Sequence, residues 1–359
     1  MTIIQSVGNP VPGWDAFVEG HGLGQFQQAS VWAEAKASEG WSARWVAATR
    51  DDRIGAGAQI LEKRTRFGRI GFINKGPVVA ADDSEAQRAL GKALVRVLTE
   101  AGFLALMVQP PDGGDFMVPG LLREGFLRET VAAIADATLL IDVSGGWEAV
   151  QAKFRRTTRR EIRQGFERGV EIVDGGAGDV ADFFALMKST CQRQGARPSP
   201  GTLKDAEALF AAFASRGKAR LWFAVHEGRR LAGGLAFVFG NRVSFWKKGW
   251  DQTGNPLHVN TLTTAHIIRW AAEHGHRWLD FGAMDRDTAE AMVHGTALPE
   301  DLPSRRDFFN LGFGGQGLLM PPSLIRFRNP LLGLGYRLGT LGPLRRTTRR
   351  VLARAGMSV

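Results

Sequence analysis

The densest group of chemically capable side chains in the sequence is Lys153-Phe154-Arg155-Arg156-Thr157-Thr158-Arg159-Arg160-Glu161-Ile162-Arg163. Phe154, Thr158, Ile162 and Phe166 recur at i, i+4 spacing, which predicts a helix with a narrow buried stripe and arginines on both flanks. Guanidinium forks fit phosphate oxygens, so Lys153, Arg155, Arg156, Arg159, Arg160 and Arg163 are candidates to hold an RNA backbone or a diphosphate. A solvated face on a basic protein would look the same. Other reactive types are sparse. The seven histidines form no His-x-x-x-His pair, Cys191 is the only cysteine, and no Gly-x-Ser-x-Gly elbow occurs. Neither a metal site, a disulfide nor a serine hydrolase has support, and no cofactor is expected.

The elements that must position such groups are bounded by composition. A chain of 359 residues suits two domains of roughly 150 each. At 44% apolar and 23% charged it is typical of globular proteins. It has no apolar run long enough to span a bilayer, and its first residues, MTIIQSVGNPVPGW, lack the basic and apolar regions of a signal peptide. A cytoplasmic protein is the expectation. Lysine and arginine exceed the acids by 46 to 36, which favours RNA, an anionic membrane surface or a phosphorylated substrate as partner. No acid follows Asp307, while Arg326, Arg328, Arg337, Arg345, Arg346, Arg349, Arg350 and Arg354 do. The leucine-rich, basic tail 321–359 is expected either to pack back on the first domain or to lie peripherally on a membrane.

Alternation and turn residues reveal an internal repeat. Arg44 to Arg50, a turn at Asp51-Asp52-Arg53, Ile54 to Glu62 and Arg69 to Asn74 read as a three-strand meander. A helix beginning at Ser84 follows, with Gln87 in capping-box register and Leu90, Leu94, Val97 and Ala101 on one face. Gly102 closes it before the apolar strand Phe103 to Val108. The same order returns as Leu221 to His226, Leu231 to Phe239, Val243 to Lys248, a helix carrying Leu262, Ala265, Ile268 and Ala272, Gly275, and His276 to Phe281. From Trp45 to Gly102 is 57 residues and from Trp222 to Gly275 is 53. The boundary is expected at Ser144-Gly145-Gly146, after a strand Thr138 to Val143, giving domains 1–145 and 146–320.

A meander, a helix and a further strand resemble the centre of the GNAT acyltransferase fold, so two tandem α/β (α+β) domains of that kind, mixed sheets flanked by helices, are expected. A GNAT enzyme that uses CoA holds the pyrophosphate on an Arg/Gln-x-x-Gly-x-Gly/Ala loop at the helix N-terminus. The corresponding junctions, Gly76-Pro77-Val78-Val79-Ala80-Ala81-Asp82 and Asp251-Gln252-Thr253-Gly254-Asn255-Pro256-Leu257, lack it.

Further motifs resemble the FemABX aminoacyltransferases, which move an amino acid from aminoacyl-tRNA to a peptidoglycan-precursor peptide. They are Phe26-Gln27-Gln28-Ala29-Ser30-Val31-Trp32 with Lys36 and Gly40-Trp41, then Gly76-Pro77, the basic segment Phe154 to Val170, Thr190-Cys191-Gln192-Arg193, and Gly275 to Gly282 in the pattern Gly-x-x-x-x-Asp-x-Gly. The resemblance implies an aminoacyl-tRNA donor and a lipid-linked or UDP-linked precursor acceptor. It implies that Lys36 meets the precursor's diphosphate, assisted by Arg193 and Arg197, and that Thr190 also binds substrate. It also places Trp246 and Phe309 at the substrate, where the family usually has a tyrosine in place of Trp246.

The reaction implied is aminolysis of an ester, whose developing oxyanion needs a cation or hydrogen-bond donors. The family's Phe-Lys before a Phe-Gly is here Phe309-Asn310 before Phe313-Gly314, so the lysine near the reacting ester is missing. Asn310, Arg305 and Arg306 are the candidates to replace it. Two alternatives are an acyltransferase using a CoA or carrier-protein thioester on an envelope amine, and a non-catalytic basic protein that binds membrane or RNA.

Overall fold

Hairpin chemistry sets up the first sheet. Ser42–Arg50 (β2) and Arg53–Thr65 (β3) pair antiparallel, and between them Asp51 and Asp52 take left-handed backbone, φ 48° and 60°, as a two-residue loop of the right twist requires. Gly68–Asn74 (β4) completes the meander, and Thr2–Val7 (β1), too short and exposed to show a clear pattern, lines the far edge of β2. Helix Ser84–Glu100 (α3) buries Leu90, Leu94 and Val97 against the sheet. Its cap is Asp83 rather than Ser84: the Asp83 carboxylate accepts the Ala86 N–H at 2.9 Å. Phe103–Gln109 (β6) then runs parallel to β4 from Arg69 to Asn74 without parting from it.

The computed structural model describes residues 1–129 and 135–338. The chain divides into Met1–Asp136 joined by the segment from Met320 on, and Ala137–Leu319. The first unit also contains helices Trp14–Gly20 (α1), Ser30–Ala37 (α2) and Val118–Arg123 (α4), and short strands Val78–Val79 (β5) and Leu127–Arg128 (β7). Its last elements, Leu324–Phe327 (β15) and Pro330–Arg337 (α12), come from the far end of the described chain. The sheet order is β1-β2-β3-β4-β6-β15-β7, with β5 beside β3.

The second unit begins with Ala137–Asp142 (β8), Gly146–Ala152 (α5), Arg156–Glu167 (α6), Glu171–Gly175 (β9), Val180–Arg193 (α7) and Leu203–Ala214 (α8). The meander Ala219–His226 (β10), Arg229–Phe239 (β11) and Arg242–Trp250 (β12) follows. Then come Val259–Glu273 (α9), Trp278–Ala283 (β13), Arg286–His294 (α10), Arg306–Asn310 (α11) and Gln316–Leu319 (β14).

The sheet order β9-β10-β11-β12-β13-β8-β14 repeats the first sheet strand for strand, including one parallel pair after the meander. Strand β8, expected to close the first half, instead takes in the second sheet the place that β15 takes in the first. The repeated unit is thus two GNAT-like sheets flanked by helices.

The motifs of the first unit act together as a clamp. The Gln28 side chain is fully enclosed. It donates to the Asn74 carbonyl at 2.7 Å and accepts the Gln59 N–H at 2.8 Å, tying the strands to the loop before them. A methyl group on Gly76 would lie 2.6 Å from that same side chain, so Gly76 has to be glycine for Gln28 to seat.

Candidate active site

The two sheets differ at their parallel pair. In the second, β12 and β13 pair only from Arg242↔Trp278 to Ser244↔Asp280 and then part. The Gly-x-x-x-x-Asp-x-Gly motif explains the parting. The Asp280 carboxylate accepts the Gly282 N–H at 2.8 Å and the Thr138 hydroxyl at 2.6 Å, while Gly282 takes φ 76° and turns β13 away. The remainder of β12 carries a bulge. Leu235 faces Lys247 and Ala236 faces Phe245, which leaves Trp246 as the extra residue.

That bulge decides where a lysine points. In a regular strand residues three apart face opposite sides, but one inserted residue restores them to the same side. Lys248 therefore shares the side of Phe245, whose ring centre is 6.0 Å from the Lys248 Nζ. Gly249 faces the other way, with no room for a side chain against the α7 backbone.

Lys248 Nζ lies 4.1 Å over the Phe309 ring and donates to Asn310 Oδ1 at 3.3 Å. Phe281, Phe309 and Phe313 continue this aromatic wall, with the Phe309 and Phe313 rings 5.4 Å apart. The residue keeps some exposed surface, yet its ammonium is desolvated: burial first, and the Arg306 guanidinium second, lower its pKa to about 7. Strand β12 thus brings a lysine ammonium beside Asn310. Sequence reading passed over Lys248, although a Lys247-Lys248 pair directly after the apolar Phe245-Trp246 was a visible signal.

The arginine helix lies against the same place. It begins at Arg156, later than the i, i+4 pattern predicts. Phe154 packs in the preceding turn, and Phe166 is exposed while Gly165 is buried. Close helix contact is the reason: a methyl group at Gly165 would lie 2.8 Å from the Leu257 carbonyl and closer still to the Leu262 side chain on α9. Arg156, Arg159, Arg160 and Arg163 are exposed, as is Lys153. Arg155 stacks 4.1 Å over Phe308 and donates its N–H to the Gly312 carbonyl at 2.8 Å, which ties this basic surface to the Phe309-Asn310 segment.

The other candidates are placed as follows. Arg305 is held by Asp287 at 2.7 Å and Asp301 at 2.6 Å, which raise its pKa further. Arg306 is half-exposed and donates to the Ala283 carbonyl at 2.7 Å. Thr190 and Arg193 form a latch on β12: the Thr190 hydroxyl accepts the Trp250 N–H at 2.9 Å, and Arg193 donates to the Trp250 carbonyl at 2.5 Å. Arg197 is exposed, and Trp246 packs 5.2 Å from Phe237.

Lys36, in the first unit, has no exposed surface. Its Nζ sits 2.6 Å from the Glu39 carboxylate and 4.6 Å over the Trp32 ring. Among the described residues no three His, Cys, Asp or Glu side chains group as metal ligands.

Residues 12–115 match the FemAB family and residues 152–289 match the acetyltransferase (GNAT) domain, so each unit is matched in turn. The first unit is thus similar to the FemAB family and the second to the GNAT acetyltransferases. The lipid II:glycine glycyltransferase of Staphylococcus aureus is 26% identical over 195 residues, covering 50% of this chain and 46% of that protein. The chain thus spans about half the length of the curated relatives it matches. Among solved structures, FemX superposes with a TM-score of 0.80 at 19% identity, over 93% of this chain and 99% of FemX. L-PGS from Bacillus licheniformis gives 0.58 at 10% identity over 99% of both chains. At these identities the structural likeness speaks for the fold, that of a tandem GNAT-like protein.

Proposed function

We propose that this chain is an aminoacyltransferase that joins an amino acid from aminoacyl-tRNA to the amine of a peptidoglycan-precursor peptide. The observation that carries it is the Lys248 ammonium held between Phe309 and Asn310, where β12 and β13 part. The acceptor amine attacks the ester carbonyl, and protonated Lys248 donates to the oxyanion that forms. The amide bond is completed as the ester C–O bond breaks, with the nucleoside hydroxyl leaving and taking a proton. An ammonium in a desolvated aromatic wall stabilises such charge far more than one in water. Asn310 orients it by accepting one of its hydrogens.

The basic face of α6, tied by Arg155 to the Phe309-Asn310 segment, is suited to the tRNA backbone. For the acceptor, the latch of Thr190 and Arg193 sets the end of β12, with Arg197 and Trp246 beside it in sequence and sheet. Lys36 meets a precursor diphosphate on this proposal only by exchanging the Glu39 carboxylate for it. The glycyltransferase relative and the FemAB match support a precursor of the peptidoglycan class.

Transfer assays with charged tRNAs and either lipid-linked or UDP-linked precursor test the proposal. Wild type gives product, and Lys248→Met lowers kcat by about 100-fold or more, the usual cost of removing an oxyanion donor. Absence of product across all amino acids, with saturable acyl-CoA binding instead, would replace tRNA by a thioester donor. A Lys248→Met enzyme with unchanged kcat would remove the lysine from the chemistry.

A further inference from the structure

Helix α12 has two unlike faces. Gly333 and Tyr336 face the first sheet: the Tyr336 ring lies 5.1 Å from Phe327 and its hydroxyl donates to the Glu129 carboxylate. On the other side Leu331, Leu334 and Leu338 are 74%, 52% and 68% exposed. Their i, i+3, i+7 spacing puts them in one stripe. Arg328 and Arg337 are exposed at the two ends of the helix. Beyond Leu338 the sequence adds Arg345, Arg346, Arg349, Arg350 and Arg354 and no acid.

From this juxtaposition we propose that α12 is a membrane-docking face that lays its leucine stripe into an anionic bilayer surface, with the flanking arginines on lipid headgroups. Apolar stripes with basic borders partition into the headgroup boundary because leucine burial and phosphate attraction act on the same side of the helix. Charge separates this occupant from others. A second copy would bring the same arginines against these, and the basic segment after Leu338 would repel Arg328 and Arg337 if it covered the stripe. Nucleic acid would satisfy the arginines and leave the leucines in water. Among the described residues no helix is long and apolar enough to cross a membrane, so the contact proposed lies on the surface. The proposal is independent of the transfer chemistry assigned to Lys248.

Co-sedimentation of the full chain with vesicles tests it. Wild type binds phosphatidylglycerol-rich vesicles, binds phosphatidylcholine vesicles poorly, and is released by salt. The variant L331S/L334S/L338S, which retains the buried Gly333 and Tyr336 face, weakens binding by about tenfold or more with its thermal melting unchanged. Arg328→Gln with Arg337→Gln weakens binding only to the anionic vesicles. The proposal is overturned if wild type ignores anionic vesicles, if the leucine variant binds them as wild type does, or if ultracentrifugation shows a dimer that the leucine variant dissociates.

Discussion

Lys248 shows how one side chain can be set by its neighbours rather than by its own motif. Burial and Arg306 bring its pKa to about 7, whereas an exposed lysine titrates near 10.4. If its protonated form stabilises the oxyanion, kcat falls as pH rises through about 7. Arg306→Ala removes the second cause and leaves the first, so the alkaline limb moves up in pH without reaching the ordinary lysine value; a pH–rate profile of the two enzymes measures it.

The same titration acts on stability. Between about 7 and about 10.4 the unfolded chain binds this proton and the folded chain does not. Stability therefore rises with pH across that window, and Lys248→Met flattens the rise. Denaturant titrations at pH 7 and 9.5 should show a difference of order 1 kcal/mol or more between the two proteins. A rise that persists unchanged in the variant would assign it to another group.

At the scale of the element, the bulge at Trp246 and the turn at Gly282 open a wedge in one sheet that the other sheet lacks. The first unit keeps β4 and β6 paired from Arg69 to Asn74, and the second releases β12 after Ser244. Deleting Trp246 leaves Phe245 and Lys248 two residues apart in a regular strand, so Lys248 keeps its side of the sheet. Transfer activity is expected to survive, with circular dichroism retained. A loss as deep as in Lys248→Met would mean that the bulge itself, and not only the alternation, sets the lysine. These features were half legible in sequence: Asp280 and Gly282 were recognisable as a motif, but a bulge is a mismatch between two strands and has no signature in either alone. The arginine helix was legible as a helix and misplaced by a turn, because the space that forces Gly165 inward belongs to α9.

For the whole molecule, the start of the tail, expected from sequence either to pack back on the first domain or to lie on a membrane, forms a strand of the first sheet. Strand β15 lies between β6 and β7, with Leu324, Ile325 and Phe327 buried. Each such side chain contributes roughly 1.5–3 kcal/mol, so their sum approaches the stability of an ordinary domain. Ending the chain after Leu319 should abolish the first unit's unfolding transition in calorimetry and leave that of the second, whose sheet ends in β14. Two intact transitions would show that β15 is dispensable. The arginines from Arg345 on lie outside the described residues.

Local physics was enough to read the two meanders, the helix after each, the absence of a CoA loop and the family motifs, because turns, alternation and caps are settled by residues close in the chain. Tertiary structure alone decided that β8 and β15 fill matching places in different sheets and that Lys248 stands beside Asn310. Each depends on groups far apart in sequence, 62 residues for Lys248 and Asn310. Which of two lysines is buried, paired or aimed at a wedge is an outcome of packing, and no spacing rule along the chain contains it.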